Sequence, residues 1–172
     1  MTESFEEATF RRVLSQFATG IVVVTGSTDE GPAGLTCQSF SSLSLRPPLV
    51  MLSTSRTSTT WPRIRATGRF AVNVLEADQE AVSAAFAVSG ADKFAGLAWR
   101  PGALGGPLLD GALAHIECEL AAVHDGGDHE IVIGRVRALE AEGLDDERSP
   151  LVYFRSGYRS LADRAELPAR RP

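Results

Sequence analysis

Cysteine is scarce in this chain. Cys37 and Cys118 are the only two; they stand far apart and neither belongs to a C-x-x-C pair, so a disulfide framework and the usual zinc spacings are both excluded. Histidine is almost as sparse. His124 and His129 flank a Gly126-Gly127 turn, but two side chains fall short of the four ligands that structural zinc takes, and no metal is expected. Positive charge is not in excess. The formal net charge of -5 opposes the phosphate neutralisation on which general nucleic-acid binding rests. Long hydrophobic runs are missing too: Ile21-Val22-Val23-Val24 is far shorter than the roughly 20 apolar residues of a membrane-spanning helix. The opening Met1-Thr2-Glu3-Ser4-Phe5-Glu6-Glu7 is acidic where a secretory leader is basic and then apolar. These absences predict a reduced, cytoplasmic protein that binds neither nucleic acid nor membrane.

With 172 residues, 44% of them hydrophobic and 23% charged, the chain suits one compact domain. Residues 10–161 form its expected core, and 162–172 an expected disordered tail rich in Pro, Ala and Arg. Ser4 and Glu7 make an S-x-x-E capping box, after which Phe10, Val13, Leu14 and Phe17 recur at helical spacing until Gly20. Residues 21–25 are a β-branched strand, and further strands are predicted over 33–41, 49–52 and 69–75. Short helices are predicted from Trp61, with Pro62 near its start and a hydroxyl residue as cap, and over 78–86. Glycines and prolines make 89–110 a loop. Ile116, Cys118 and Leu120 alternate with Glu117 and Glu119 in the first arm of a hairpin that turns at 126–128 and returns over 130–141; residues 151–154 form a last short strand. The pattern is mainly β with flanking helices, best satisfied by a β-barrel.

The chain has no G-x-G-x-x-G after a strand, no G-x-S-x-G elbow, no H-E-x-x-H and no G-K-[ST] ending. Without a nucleophile constellation, a bound cofactor is the natural carrier of any hard chemistry. Residues 53–60, Ser-Thr-Ser-Arg-Thr-Ser-Thr-Thr, carry seven hydroxyls and the Arg56 guanidinium ahead of a helix. Such a segment can hold phosphate, since helix-start N–H groups and hydroxyls donate and arginine forks onto two oxygens; it can equally be a polar surface loop that caps the helix. Thr36, Cys37, Gln38 and Ser39 can let a flat ligand approach the backbone, or can form a solvated edge. His129 can face a cofactor or simply occupy a turn, and Lys93 can pair with an anion or lie exposed.

In order along the chain, several segments resemble the flavin reductase-like family, the reductase components of two-component flavin monooxygenases. They are Phe17-Ala18-Thr19-Gly20-Ile21-Val22-Val23-Val24-Thr25, Gly34-Leu35-Thr36-Cys37-Gln38-Ser39-Phe40 and Ser44-Leu45-Arg46-Pro47-Pro48-Leu49-Val50. Ser58-Thr59-Thr60, Phe70-Ala71-Val72-Asn73-Val74-Leu75, Asp92-Lys93-Phe94, Gly127-Asp128-His129-Glu130-Ile131 and Pro150-Leu151-Val152-Tyr153-Phe154 extend the likeness over roughly residues 10–161. The resemblance implies a split β-barrel, a homodimer with flavin sites near the subunit interface, and NAD(P)H-dependent reduction of FMN or FAD by NADH or NADPH. Reduced flavin would then reach a separate monooxygenase. The resemblance also implies that Thr36, Cys37, Gln38 and Ser39 lie along the isoalloxazine ring and that Ser53 and Ser55 flank the ribityl chain. Ser58 and Thr60, with Arg56 and Lys93, would hold the phosphate, and His129 would face the nicotinamide. Cys37-Gln38 departs from the smaller pair usual in such proteins. The same barrel also serves non-catalytic flavin binders and oxidases related to those acting on pyridoxamine phosphate, so fold alone does not decide function.

Overall fold

The β-branched run at 21–25 is buried at every residue. In the computed structural model, which describes residues 6–90, 92–141 and 148–161, it forms the start of β2 (Val22–Thr28), after α1 (Glu7–Leu14) and β1 (Thr19–Gly20). Next come β3 (Gly31–Cys37), β4 (Ser41–Leu45), β5 (Pro48–Ser55), α2 (Trp61–Ala66), β6 (Arg69–Val74) and α3 (Glu80–Ala87). The short hairpin of β7 (Trp99–Pro101) and β8 (Pro107–Leu109) precedes the long one of β9 (Ala114–Gly126) and β10 (His129–Ala141), and β11 (Val152–Phe154) and β12 (Gly157–Arg159) end the described chain.

Seven strands form one antiparallel sheet in the order β3-β2-β6-β9-β10-β5-β4. Both faces of β2 are covered, which is why its sequence is continuously apolar instead of alternating. Val22 and Val24 join Leu52, Trp61, Ile64, Phe70, Val72 and Val132 in one core. On the opposite face Ile21 and Val23 meet Leu75, Phe86, Leu109 and Leu151. The first core is closed at one end by α2, whose Trp61 packs edge-on against Phe70 at 6.0 Å. Full burial of side chains of this size contributes about 1.5–3 kcal/mol each.

The sheet curls until β3 approaches β5, yet no backbone ladder joins them. Across this seam Ser39 Oγ accepts the Ser53 N–H at 2.8 Å and donates to the Ser53 carbonyl at 3.0 Å. One hydroxyl thus replaces a missing pair of strand hydrogen bonds, and the barrel is split there.

Several sequence expectations need correction. The first helix ends at Leu14, capped by Ser15, not at Gly20, because Thr19 and Gly20 pair with Tyr153 and Val152. The strand expected over 33–41 divides in two: β3 stops at Cys37, and the chain crosses the seam through Ser39 before β4 begins. Ser53 and Ser55, read as loop, are the last turns of β5's ladder with β10. The 89–110 loop contains the β7–β8 hairpin. The Ser4 half of the capping box and the tail from 162 lie outside the described residues. Among the described residues no helix is long and apolar enough to cross a membrane.

Candidate functional site

The split in the barrel opens into a cavity of about 790 Å³, within the range of small-molecule sites. Register decides which side chains reach it. His129 lies opposite Ser55 and Ile131 opposite Ser53, so these four share one face of the sheet, and all line the cleft. The intervening Glu130 takes the other face, while Thr54, buried between Ser53 and Ser55, also borders the cavity. A shift of one residue would exchange the two sets. Leu35, Thr36, Cys37, Gln38 and Ser39 form the opposing wall, and Thr57, Ser58, Thr59 and Thr60 curve around one end. Phe86, Ala87 and Ser89, from the end of α3 and just beyond, add a side that the sequence reading missed. Phe86 is a core residue, 1% exposed, and nothing local signals that it also borders a cleft.

Ten of the eleven residues singled out from the sequence line this cavity. Arg56 does not. Its backbone N–H donates to the Asp128 carbonyl at 3.0 Å, its Nε donates to the Gly127 carbonyl at 2.8 Å, and its Nη2 pairs with Asp125. The guanidinium that was expected to help hold phosphate is spent on the hairpin turn bearing His129. Arginine's fork suits both tasks, and only the fold determines which carbonyls and carboxylates lie within reach.

Beneath the turn, Glu130 accepts from Arg65 at 2.8 Å and from the Trp61 indole at 3.2 Å, tying hairpin and α2 together. At the turn itself Asp128 lies 2.7 Å from His129 Nδ1, and the imidazole beside it holds the carboxyl below its usual range. Several cleft hydroxyls already have structural duties. Thr36 donates to the Ser83 carbonyl of α3 at 2.6 Å; Ser55 meets Thr57 at 2.8 Å; Ser58 Oγ accepts the Trp61 N–H at 3.1 Å. The last of these supplies the hydroxyl cap expected at the start of α2, whereas Thr60, at the N-cap position itself, makes no side-chain cap bond. Cys37 Sγ lies 3.1 Å from Ser39 Oγ, and burial pushes its thiol up, away from the reactive thiolate.

Electrostatically the cleft differs from the chain around it. Although the protein carries a net charge of -5, no Asp or Glu among the described residues lines the cavity. Its cation is Lys93, the only lysine in the sequence. Lys93 Nζ donates to the Gly34 and Phe86 carbonyls, each at 3.0 Å, which fixes it between β3 and the end of α3; partial burial lowers its pKa. A phosphate-bearing ligand fits this donor set: hydroxyls and one ammonium at one end, backbone and thin side chains along the other, and no anion to repel it.

The sequence pattern of the family described as "Flavin reductase like domain" matches residues 14–162. The chain belongs to that family. The reductase subunit HsaB of a flavin-dependent monooxygenase from Mycobacterium tuberculosis is 46% identical over 169 residues, covering 98% of this chain and 90% of that protein. Among solved structures, a nitrilotriacetate monooxygenase component B homologue from Mycobacterium thermoresistibile superposes with a TM-score of 0.89 at 44% identity, covering 96% of this chain and 92% of that one. The NADH:FAD oxidoreductase SgcE6 of Streptomyces globisporus has a TM-score of 0.86 at 35% identity, over 95% of this chain and 98% of that one. The split barrel and the flavin reductase resemblance read from the sequence both hold. The protein is an NAD(P)H-dependent flavin reductase of the two-component monooxygenase type, with flavin and a nicotinamide dinucleotide as its reactants.

Proposed function

We propose that this flavin reductase works in the cleft at the barrel's split, where Thr36, Cys37, Gln38 and Ser39 flank the flavin ring and Ser53 and Ser55 its ribityl chain. Ser58, Thr60 and Lys93 hold the phosphate of FMN or FAD, and His129 faces the nicotinamide of NADH or NADPH. One observation carries the reading: on an acidic chain, residues distant in sequence converge on a hydroxyl-lined cavity with a lysine and, among the described residues, no carboxylate. When bound, the flavin supplies the acceptor for a hydride that leaves the nicotinamide with its electron pair.

The protein's own contribution is positional. The β3 wall offers backbone groups to a flat ring, while Phe86 and Ile131 bound the space on either side. Stacking two rings at reacting distance removes most of the entropic barrier to such a transfer. Arg56 acts at one remove by holding the 126–129 turn, and through it His129, over the cleft. The cavity's open side lets flavin exchange with solution, as a component that supplies reduced flavin to a separate monooxygenase requires.

The working unit is a homodimer. Its support is the exposed apolar face of α1: Phe10, Val13 and Leu14 line up on the helix, which buries nothing in its own chain, and Phe17 just beyond it is 76% exposed. Phe10, Leu14 and Phe17 border a groove that reaches Gln38 and Ser39 at the cleft, so a partner seated there would touch the flavin site. A cytoplasmic location accords with two unpaired, buried cysteines. Oxidation of NADH or NADPH by the purified protein in air, with and without FMN or FAD, tests the activity. No flavin-dependent loss of NADH absorbance with any pairing, while flavin still binds, would refute it. Light scattering tests the dimer, which Leu14→Glu should convert to monomer.

A further inference from the structure

His129 is held from two sides. Above the sheet its ring meets Asp128, whose carboxylate lies 2.7 Å from Nδ1 but is 93% exposed, and an exposed pair of this kind orients a ring weakly. Beneath the sheet stands the next residue. Successive residues of a strand point to opposite faces, so whatever grips Glu130 below also sets where His129 stands above. Two donors of α2 grip it, one on each carboxylate oxygen. Arg65 Nη1 lies 2.8 Å from Oε1, and the Trp61 indole N–H donates to Oε2 at 3.2 Å. Arg56 Nη1 approaches to 3.9 Å. Water competes little for these bonds, because the Glu130 side chain is 18% exposed and Trp61 is fully within the core.

A carboxylate is an unfavourable choice for this face. Val132 follows Glu130 on it, opposite Leu52, and both belong to the core. Desolvating a charge costs free energy that an apolar side chain of the same size avoids. What the carboxylate adds is direction, since each of its oxygens accepts a hydrogen bond along a defined line. The helix that supplies the donors is itself tied to the cleft: the Trp61 backbone N–H donates to Ser58 Oγ at 3.1 Å, and Ser58 belongs to the hydroxyl arc. A chain of bonds thus runs from the arc through Trp61 to the residue that follows His129. We propose that Glu130 is a positioning residue for nicotinamide binding: gripped by Arg65 and Trp61, it fixes His129 over the cleft in a set relation to the arc. The proposal rests on the reading that His129 faces the nicotinamide.

Steady-state kinetics at saturating FMN test it with two variants. Glu130→Leu keeps the side-chain volume and removes both acceptors, whereas Glu130→Gln retains one carbonyl that can take one of the two bonds. Glu130→Leu should raise the KM for NADH about fivefold, with kcat and the Kd for FMN within about twofold of wild type. Glu130→Gln should recover most of that loss. The deciding measurement repeats the substitution in a His129→Ala background, where a residue that acts through His129 has nothing left to position. There Glu130→Leu should change the KM for NADH by less than about 1.5-fold. Arg65→Met, which removes one donor at a half-exposed position, carries the same comparison if Glu130→Leu does not fold. An equal rise in KM with and without His129 overturns the proposal, since Glu130 would then act on the structure at large. An unchanged KM in the protein that keeps His129 overturns it too, as does a loss of FMN binding equal to the loss of NADH. An unchanged KM in His129→Ala itself overturns the nicotinamide reading and this proposal together, whereas the other outcomes leave that reading standing.

Discussion

Lys93 lines the cleft and Arg56 does not, so replacing each should affect flavin binding differently. Replacing Lys93 with Met removes the one ammonium in the cleft. Charge-assisted hydrogen bonds contribute about 1.5–3 kcal/mol, or roughly 10- to 150-fold in affinity. Two of the three Nζ hydrogens are already committed to the Gly34 and Phe86 carbonyls, leaving one for a ligand. The loss should therefore sit at the lower end, about tenfold in the Kd for FMN. Arg56→Ala touches no group that lines the cavity. It breaks a surface ion pair worth about 0–1 kcal/mol and loosens the turn, so FMN binding should stay within about twofold while the KM for NADH rises. Quenching of flavin fluorescence at low salt measures the first effect, with riboflavin, which lacks the phosphate, as control. The reasoning fails if Arg56→Ala weakens FMN as much as Lys93→Met does, or if Lys93→Met weakens riboflavin and FMN alike.

Three further predictions concern the same side chains and the core behind them. Burial lowers the Lys93 pKa from the ordinary 10.5, and anion binding needs the charged form. FMN affinity should thus be full below that lowered pKa and fall as pH rises through it, starting before 10.5; a pH titration in which Lys93→Met shows the same decline would contradict this. Burial, and then the neighbouring Glu117 carboxylate, push the Cys118 thiol up to about 12, and Cys37 is raised as well. Iodoacetamide at about pH 8 should therefore leave both thiols unlabelled in native protein and label both after denaturation, as mass spectrometry would read. A Cβ at Gly134 would stand 2.5 Å from Phe70 Cζ and 3.1 Å from Cys118 Cβ, so Gly134→Ala should cost about 1–3 kcal/mol by overpacking; an unchanged urea midpoint would show that the Phe70 ring moves aside freely.

Much of this protein is legible without coordinates. Local chemistry alone marks the β-branched 21–25 run as a strand, the alternation at 116–120 as a hairpin arm, and the Pro62 segment as a helix start, because each depends on neighbours a few residues away. Serine and threonine in 53–60, with no nucleophile motif anywhere, already pointed to a bound cofactor, and ordered segments along the chain carried the flavin reductase resemblance. What sequence could not supply is the outcome of competition between distant groups. Whether Arg56 reaches phosphate or the Gly127 carbonyl depends on β5 and β10 pairing in one register. Whether residues 33–41 form one strand or two depends on Ser39 finding Ser53 across the seam. Phe86 faces the cleft, and α1 keeps its apolar face outward, because of how α3 and the barrel dispose of their surfaces. Hydrophobic periodicity records that a residue is to be covered; only the tertiary structure decides what covers it.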